Sequence, residues 1–427
     1  MDAQHLQDDL TQQGWCARIP SAWDSLSQNP PRAAFLAPPF DTVPSRDGNA
    51  IYDLIERIAT FIDIPCVVLS RWLEDTPPIS AMSDRVLYYT PKNPQRSVID
   101  RLPHRVKRAV LGTTSPSGLR YPRAAALAAQ RLGISTIVVE DHPIFCETVK
   151  SVSGAFRVIL HQHIDAPKRM ATYWWRRTER SIDEIVFVAE QTRQVVEAKH
   201  GSLLCPSRVI YNGVDLAHYD PALWQPKAAA LREQYGIPVD APLLLFVGRI
   251  VPGKGPLEAV RAFQAASIPN AHMIVVGGVA IREFGKDGYE QSLREAAGAN
   301  PTIHFSGMVG QKDLPAYYSA ATLVIIPTIQ SEGLPKVVTE ALAMGRAVAA
   351  TDRGGIWELL KDDQTGWLIP DARDVAALSE LLRRLLTDPA RIAAAERQIL
   401  QYDRPRMNER RMVDEMADVI RANLSGV

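Results

Sequence analysis

The chain has 427 residues, and its 48 Lys and Arg balance 48 Asp and Glu, so no global charge argues for a nucleic-acid partner. At roughly 100–200 residues per domain, that length predicts two domains, each able to bury its own core. Cys16, Cys66, Cys146 and Cys205 are scattered with no CxxC pair, which argues against a zinc framework or disulfide scaffold and for a reducing cytosol.

In chain order, a polar leader over residues 1–31 carries Asp2, Asp8 and Asp9 and no apolar core segment, so it is not read as a signal peptide. No run approaches the roughly 20 apolar residues of a membrane span. The expectation is a cytoplasmic protein. Short apolar strands then alternate with helical stretches. Strands are predicted at 33–40, 66–70, 85–89, 135–140, 157–163, 184–190 and 208–212, and helices at 51–62, 124–132 and 190–198. This alternation predicts a doubly wound parallel sheet, with ligands at the carboxyl ends of its strands.

Two of those strand ends carry candidate chemistry. EDHPIF (140–145) places Asp141 and His142 there, and VILHQHID (158–165) places His161, His163 and Asp165. A lone strand-end histidine is more often a satisfied structural residue than a ligand. His161 and His163 have the i, i+2 spacing of a metal pair, but with no third ligand nearby a metal is discounted. Charge is uneven in this half: residues 101–180 hold 14 Lys and Arg against 5 Asp and Glu. The block includes RLPHRVKR (101–108) and YWWRRTER (173–180), which read either as solvated helix faces or as a surface for anionic lipid or an anionic acceptor.

After a linker with a helix near Pro221 to Pro242, the pattern restarts with strands at 243–248, 272–278, 302–307, 322–328 and 346–351. The first of these runs into VGRIVPGKGPLEAVRAF (247–263), where Gly248 and Gly253-Lys254 match most of the P-loop pattern GxxxxGK[ST]. The next residue is Gly255, so the hydroxyl that holds Mg²⁺ is missing, and a P-loop NTPase is refused. Arg249 and Lys254 remain as two cations at a strand–loop–helix turn, suited to phosphate.

The last informative stretch is SEGLPKVVTEALAMG (331–345), a loop opening a helix after the apolar run TLVIIPT. Pro335 suits the first helical turn, where its missing N–H costs nothing. Glu332 reads either as a helix cap or as a carboxylate for sugar hydroxyls beside an anion site formed by Gly333, Leu334 and Pro335. Glu340 reads either as a surface charge or as part of that same site.

These motifs resemble the donor domain of glycosyltransferase family 4. The resemblance rests on VGRIVPGKGPLEAVRAF, FSGMV (305–309) and SEGLPKVVTEALAMGRAVAATDRGGIWELLKDDQTGWLIP (331–370), in that order, and covers roughly residues 208–400. It implies an α/β fold of the GT-B type, two Rossmann-like doubly wound parallel-sheet domains facing each other across a cleft. The implied division is an acceptor-side domain over 1–207, a nucleotide-sugar donor domain over 208–400, and a C-terminal helix in 401–427 packing back on the first domain. Glu332 and Glu340 stand where the family has its Glu-x7-Glu pair, near the sugar hydroxyls and the ribose diol respectively. Arg249 and Lys254 match the diphosphate-binding pair. The loop at Gly333, Leu334, Pro335 and Val338 adds donor contacts, and the backbone of Val309 meets the nucleobase. Gly48, where Gly48-Asn49 replaces the usual Gly-Gly, is placed against the donor phosphate, and His161 against the donor sugar. His142, His163 and Asp165 fall on the acceptor side. YNGVD (211–215) matches the family's turn at the domain junction.

The implied enzyme moves a sugar with retention from a nucleotide donor, UDP-linked by preference, to a hydroxyl of a saccharide or lipid-linked saccharide. Arg249 and Lys254 then stabilise the charge left on the departing diphosphate. The chain contains no Asp-x-Asp, so no cofactor or metal is expected at the diphosphate. Contact with the inner face of an anionic membrane is the other use open to the basic block. Three other readings stay open: a sugar-nucleotide epimerase or hydrolase, a silent nucleotide-sugar binding module, and, least supported, the NTPase.

Overall fold

The computed structural model describes residues 15–18, 30–38, 50–70, 88–91, 120–278 and 288–424. The chain divides into two compact units, Met1–Tyr211 with Met412–Val427, and Asn212–Arg411.

Among the described residues, the first unit contains β1 (Trp15–Arg18), β2 (Ala33–Leu36), β3 (Cys66–Leu69), β4 (Tyr88–Pro91), β5 (Thr136–Glu140), β6 (Arg157–Gln162), β7 (Glu184–Phe187) and β8 (Ser207–Val209). Six of them pair in parallel in the order β3-β2-β5-β6-β7-β8. Their side chains alternate between two cores, as a period of two requires. Ala34, Leu36, Ile137, Val139, Val158 and Leu160 enter one core with the helices Arg120–Arg131 and Pro143–Val152. Ala33, Phe35, Val138, Ile159 and Val186 enter the other with the helix Ala50–Phe61. That second face is completed by the end of the chain: Met412, Met416, Val419 and Ile420 project from the helix Glu409–Leu424 at helical spacing into the same core. The sheet is therefore buried on both faces, which is why its strands read as unbroken apolar runs.

Two expectations shift. The strand predicted at 85–89 is Tyr88–Pro91, and it pairs antiparallel with Trp15–Arg18, inside the supposed leader, rather than joining the parallel sheet. YYTP lacks the apolar continuity of a two-sided strand and ends on a proline that cannot donate to a ladder. The C-terminal helix expected in 401–427 begins at Glu409, because Pro405 sits in a 3₁₀ turn, Arg404–Met407, that breaks the helical ladder. After that turn, Val214 N donates to Met407 O at 2.8 Å and Glu409 N donates to Val214 O at 3.0 Å. Gly213 is required at this crossing: a Cβ there would lie 2.5 Å from the Glu409 Cα. The YNGVD turn thus packs on Met407 and Glu409, and the division between the two units falls within it, between Tyr211 and Asn212.

The second unit is built from β9 (Leu243–Val247), β10 (His272–Val276), β11 (Ile303–Gly307), β12 (Leu323–Ile326), β13 (Val348–Thr351) and β14 (Gly366–Ile369), all parallel, in the order β11-β10-β9-β12-β13-β14. β14 went unforeseen because GWLI is too short to separate from a loop. The strand order reverses between β9 and β12, and in open sheets of this kind the crevice beyond those two carboxyl ends takes the ligand.

At the other edge, His272 and His304 stack with planes 6° apart, Nδ1 of the first 3.1 Å from Nε2 of the second. Burial holds both imidazoles below their usual range, aided by Arg232 beside His272 and by His272 beside His304. The unfolded chain therefore takes up protons first as pH falls through 6.5, so stability is lost on acidification. We expect the melting temperature of the second unit to fall between about pH 7.5 and about pH 5.5, and to fall less in His272→Asn. An identical pH slope in the variant would show that the pair does not contribute.

Candidate active site

The strand-order reversal in the second unit brings two loops together. The loop after β9 carries Arg249 and a 3₁₀ turn, Pro252–Lys254, and the loop after β12 carries Thr328, Gln330 and Glu332. Lys254 Nζ forms an ion pair with Glu332 Oε1. The same oxygen is 3.2 Å from Gln330 Nε2 and 3.3 Å from the Thr328 hydroxyl. Glu332 is therefore neither a helix cap nor a free surface charge. Arg249 is exposed at the start of its loop.

Backbone contacts fix this arrangement. Ile329 N donates to Gly253 O at 2.9 Å, and Gly355 N donates to Gly333 O at 2.7 Å. Two glycines permit the close approach. Gly255 has φ +73 and Gly354 has φ +60, and a Cβ would fall 2.0 Å from Pro327 O at the first and 1.6 Å from Glu332 O at the second. The loops after β9, β12 and β13 are thus interlocked around Lys254 and Glu332.

Gly333, Leu334 and Pro335 are buried, and Pro335 takes the N-cap position of the helix Lys336–Ala343 rather than its first turn. Glu340 is 1 % exposed, which removes the reading of a surface charge. Its Oε2 accepts from the Tyr318 hydroxyl at 2.8 Å, and Lys336 Nζ lies 3.7 Å from its Oε1. That Oε1 has no hydrogen-bond partner among the described residues, so a buried acceptor is available to a donor such as a sugar hydroxyl. Val338 departs from the expected set: its side chain is fully buried and its amide donates to Pro335 O at 3.0 Å, so both groups are used internally. Val309 is half-buried just beyond β11, after the exposed Met308. Gly48 lies outside the described residues.

In the first unit, the carboxyl ends of β5 and β6 carry the strand-end residues. Glu140 is register partner to His161 on the adjacent strand. Its Oε2 is 3.0 Å from His161 Nδ1 and 2.8 Å from His163 Nε2. Burial pushes the Glu140 carboxyl up, but the two histidines outweigh it and hold the group at about 2. Asp141, at a left-handed φ of 54, accepts at Oδ1 from the amides of His163 at 3.0 Å and Ile164 at 3.1 Å and from Gln162 Nε2. Its burial raises the carboxyl to about 6. His142 precedes the helix Pro143–Val152, packs on Phe145 with centroids 4.8 Å apart, and is lowered by burial to about 4. Asp165 precedes the short helix Ala166–Arg169, with Arg169 3.8 Å and Lys168 3.9 Å away.

The expectation that no third ligand lies near His161 and His163 is overturned. Glu140 is that group, and the three donor atoms lie within 4.8 Å of one another. The sequence reading missed it because Glu140 sits on the neighbouring strand; the available signal was a carboxylate ending the apolar run STIVVE. Tyr318 and Gly354 also went unnoticed, since each acts through a partner distant in sequence, and so did Thr328 and Gln330 beside Glu332.

The basic aromatic stretch is less available than its composition suggests. In the helix Thr172–Glu179, Trp175 is fully buried, Arg176 Nη1 pairs with Glu179 at 2.7 Å and with Ser202 O at 2.9 Å, and Arg177 pairs with Glu147. Tyr173 is its exposed aromatic, at 70 %.

Comparison with known proteins finds glycosyltransferases among those similar to this chain. Residues 227–402 match the family model described as glycosyl transferases group 1. A putative glycosyltransferase, YtcC, of Bacillus subtilis (strain 168) is 26% identical over 63% of this chain and 68% of its own length. A D-inositol 3-phosphate glycosyltransferase of Xylanimonas cellulosilytica is 31% identical over 50% of this chain and 52% of its own. The chain thus spans about half the length of that relative. Among solved structures, HepE of Anabaena in complex with UDP and glucose superposes with a TM-score of 0.70 at 18% identity, covering 91% of this chain and 99% of that one. Sucrose-phosphate synthase of Thermosynechococcus elongatus gives 0.74 at 19% identity, over 92% and 99%. These likenesses show the fold, two Rossmann-like α/β units of the GT-B class.

Proposed function

We propose that this chain, whose second unit is a glycosyl transferases group 1 domain, is a retaining glycosyltransferase of the family 4 type that takes a UDP-sugar as donor. One observation carries the reading: Lys254 and Glu332 meet, with Arg249 nearby in sequence, where the strand order reverses between β9 and β12. A nucleoside diphosphate needs cations there, and a sugar needs a carboxylate. As the bond from the anomeric carbon to the β-phosphate breaks, Arg249 and Lys254 stabilise the charge left on that phosphate. Glu332 accepts hydrogen bonds from sugar hydroxyls. Glu340 accepts from the ribose diol through the oxygen that Tyr318 leaves open. The acceptor oxygen forms the new bond on the same face, and its proton goes to the leaving phosphate. Two cations suffice for the diphosphate, so no metal is assigned to it.

The UDP preference is supported by the solved structures of HepE, which were obtained with UDP and with UDP-glucose. The acceptor is assigned to the first unit as a hydroxyl of a saccharide or lipid-linked saccharide used in building cell-surface glycans. The positive excess over residues 101–180 fits an anionic acceptor of that kind.

The test is a thermal-shift panel of UDP-, GDP- and ADP-sugars and ATP, with and without added Mg²⁺. At ligand about 100 times its Kd, one UDP-sugar should raise the melting temperature by about 5–10 °C without Mg²⁺. A shift with ATP and Mg²⁺ alone would overturn both the donor assignment and the enzyme class.

A further inference from the structure

We infer that the first unit holds a divalent transition-metal ion, Zn²⁺ by the chemistry of its donors, between Glu140, His161 and His163. The three donors belong to the first unit and Arg249, Lys254 and Glu332 to the second; the donor chemistry proposed above rests on the latter, so failure of the metal would leave it standing.

The fold presents the three donors together. His161 lies in β6 and His163 just past its end, and their rings come together with centroids 4.2 Å apart. Glu140 ends the adjacent strand opposite His161. All three are buried, at 0 %, 1 % and 6 % exposure for Glu140, His161 and His163. Among the described residues, the ion-pair partners of Glu140 are these two imidazoles, and no Lys or Arg reaches it. A carboxylate withdrawn from water needs a cation beside it. Its second oxygen, Oε1, has no hydrogen-bond partner among the described residues and is free to join the coordination.

Two imidazoles and one carboxylate form a donor set suited to Zn²⁺, one that leaves a fourth position open. Bonds of the usual length, tetrahedrally arranged, would separate the ligand atoms by about 3.3 Å. The Glu140 contacts of 2.8 and 3.0 Å need to open by a few tenths of an ångström, and the two imidazole nitrogens, the three donor atoms lying within 4.8 Å of one another, need to draw together, the ion replacing a shared proton. The outer layer is already fixed. Asp141 Oδ1 gathers the amides of His163 and Ile164 and the Gln162 side chain, and Gln162 Nε2 also donates to Ile164 O at 2.8 Å. Asp141 takes a left-handed backbone to do this, a conformation Asp tolerates better than most residues. The strand end carrying both histidines is held in place before any ion arrives.

The test uses the full chain, stripped by chelator and titrated with Co²⁺, whose visible d–d bands report four-coordinate binding. We expect one equivalent to bind, to be displaced by Zn²⁺, and to bind at least about tenfold more weakly in Glu140→Gln and His163→Ala. His218→Asn, in the other unit, should leave the titration unchanged. Absence of bands in the wild-type protein would overturn the site. So would bands of equal strength in both folded variants, which would mean adventitious binding elsewhere. Stoichiometric zinc in protein purified without added metal, lost in Glu140→Gln, would support it even if a stripped sample refolds poorly.

Discussion

Replacing Lys254 with Ala should lower kcat by about 100- to 1000-fold, the usual effect of removing one preorganised stabiliser of developing transition-state charge. The ammonium is placed by the interlocked loops after β9 and β12 and waits on Glu332 rather than in water. Losing it also strands the Glu332 carboxylate, whose side chain is only 14% exposed, so part of the effect is structural. Glu332→Gln separates the two: it keeps the shape, removes the charge Lys254 answers, and should weaken sugar binding while sparing much of the turnover. If the ammonium acts on the leaving diphosphate, the double variant resembles Lys254→Ala in kcat, and the deviation from additivity measures the pair. Lys254→Arg should rescue poorly, because a planar fork does not reproduce a compact point charge. A Lys254→Ala enzyme with unchanged kcat would end the assignment.

Gly354→Ala should lower the melting temperature by about 5 °C or more and also cost most of the activity. Two terms add here. The left-handed φ of +60 penalises any Cβ, and that Cβ would fall 1.6 Å from the Glu332 carbonyl, so the backbone on which Glu332 sits must move. Gly236 supplies the control. Its φ is +64, but nothing lies within 4 Å of a Cβ there, so Gly236→Ala should show the strain alone, about 1–2 kcal/mol, with activity retained. Equal effects at the two glycines would mean that the loop after β13 does not set the position of Glu332.

Much of the fold was legible because two-sided parallel strands write themselves as apolar runs. LLLFV, HMIVV and TIVVE name their elements without help, since each must bury both faces. YYTP and GWLI were harder, being short and mixed. The second unit's candidate residues were legible for a related reason: Arg249, Lys254 and Glu332 sit in loops right after obvious strands, and position along a strand predicts nearness to the crevice. Glu140 and Tyr318 were not, because a side chain's partner across a sheet or between helices leaves no mark in its own neighbourhood.

The sequence by itself determined the alternation of strands and helices, the two-unit division, and the residue types at each strand's carboxyl end, since these follow from local periodicity and composition. Only the tertiary structure decided the strand order, and with it which ends meet. It paired Lys254 with Glu332 across the reversal between β9 and β12, turned Glu340 inward to Tyr318, and gave His161 and His163 their third group in Glu140. Those pairings depend on contacts between residues 21 (His161 and Glu140) to 78 (Lys254 and Glu332) positions apart, fixed by packing the two faces of each sheet rather than by any preference of the residues themselves.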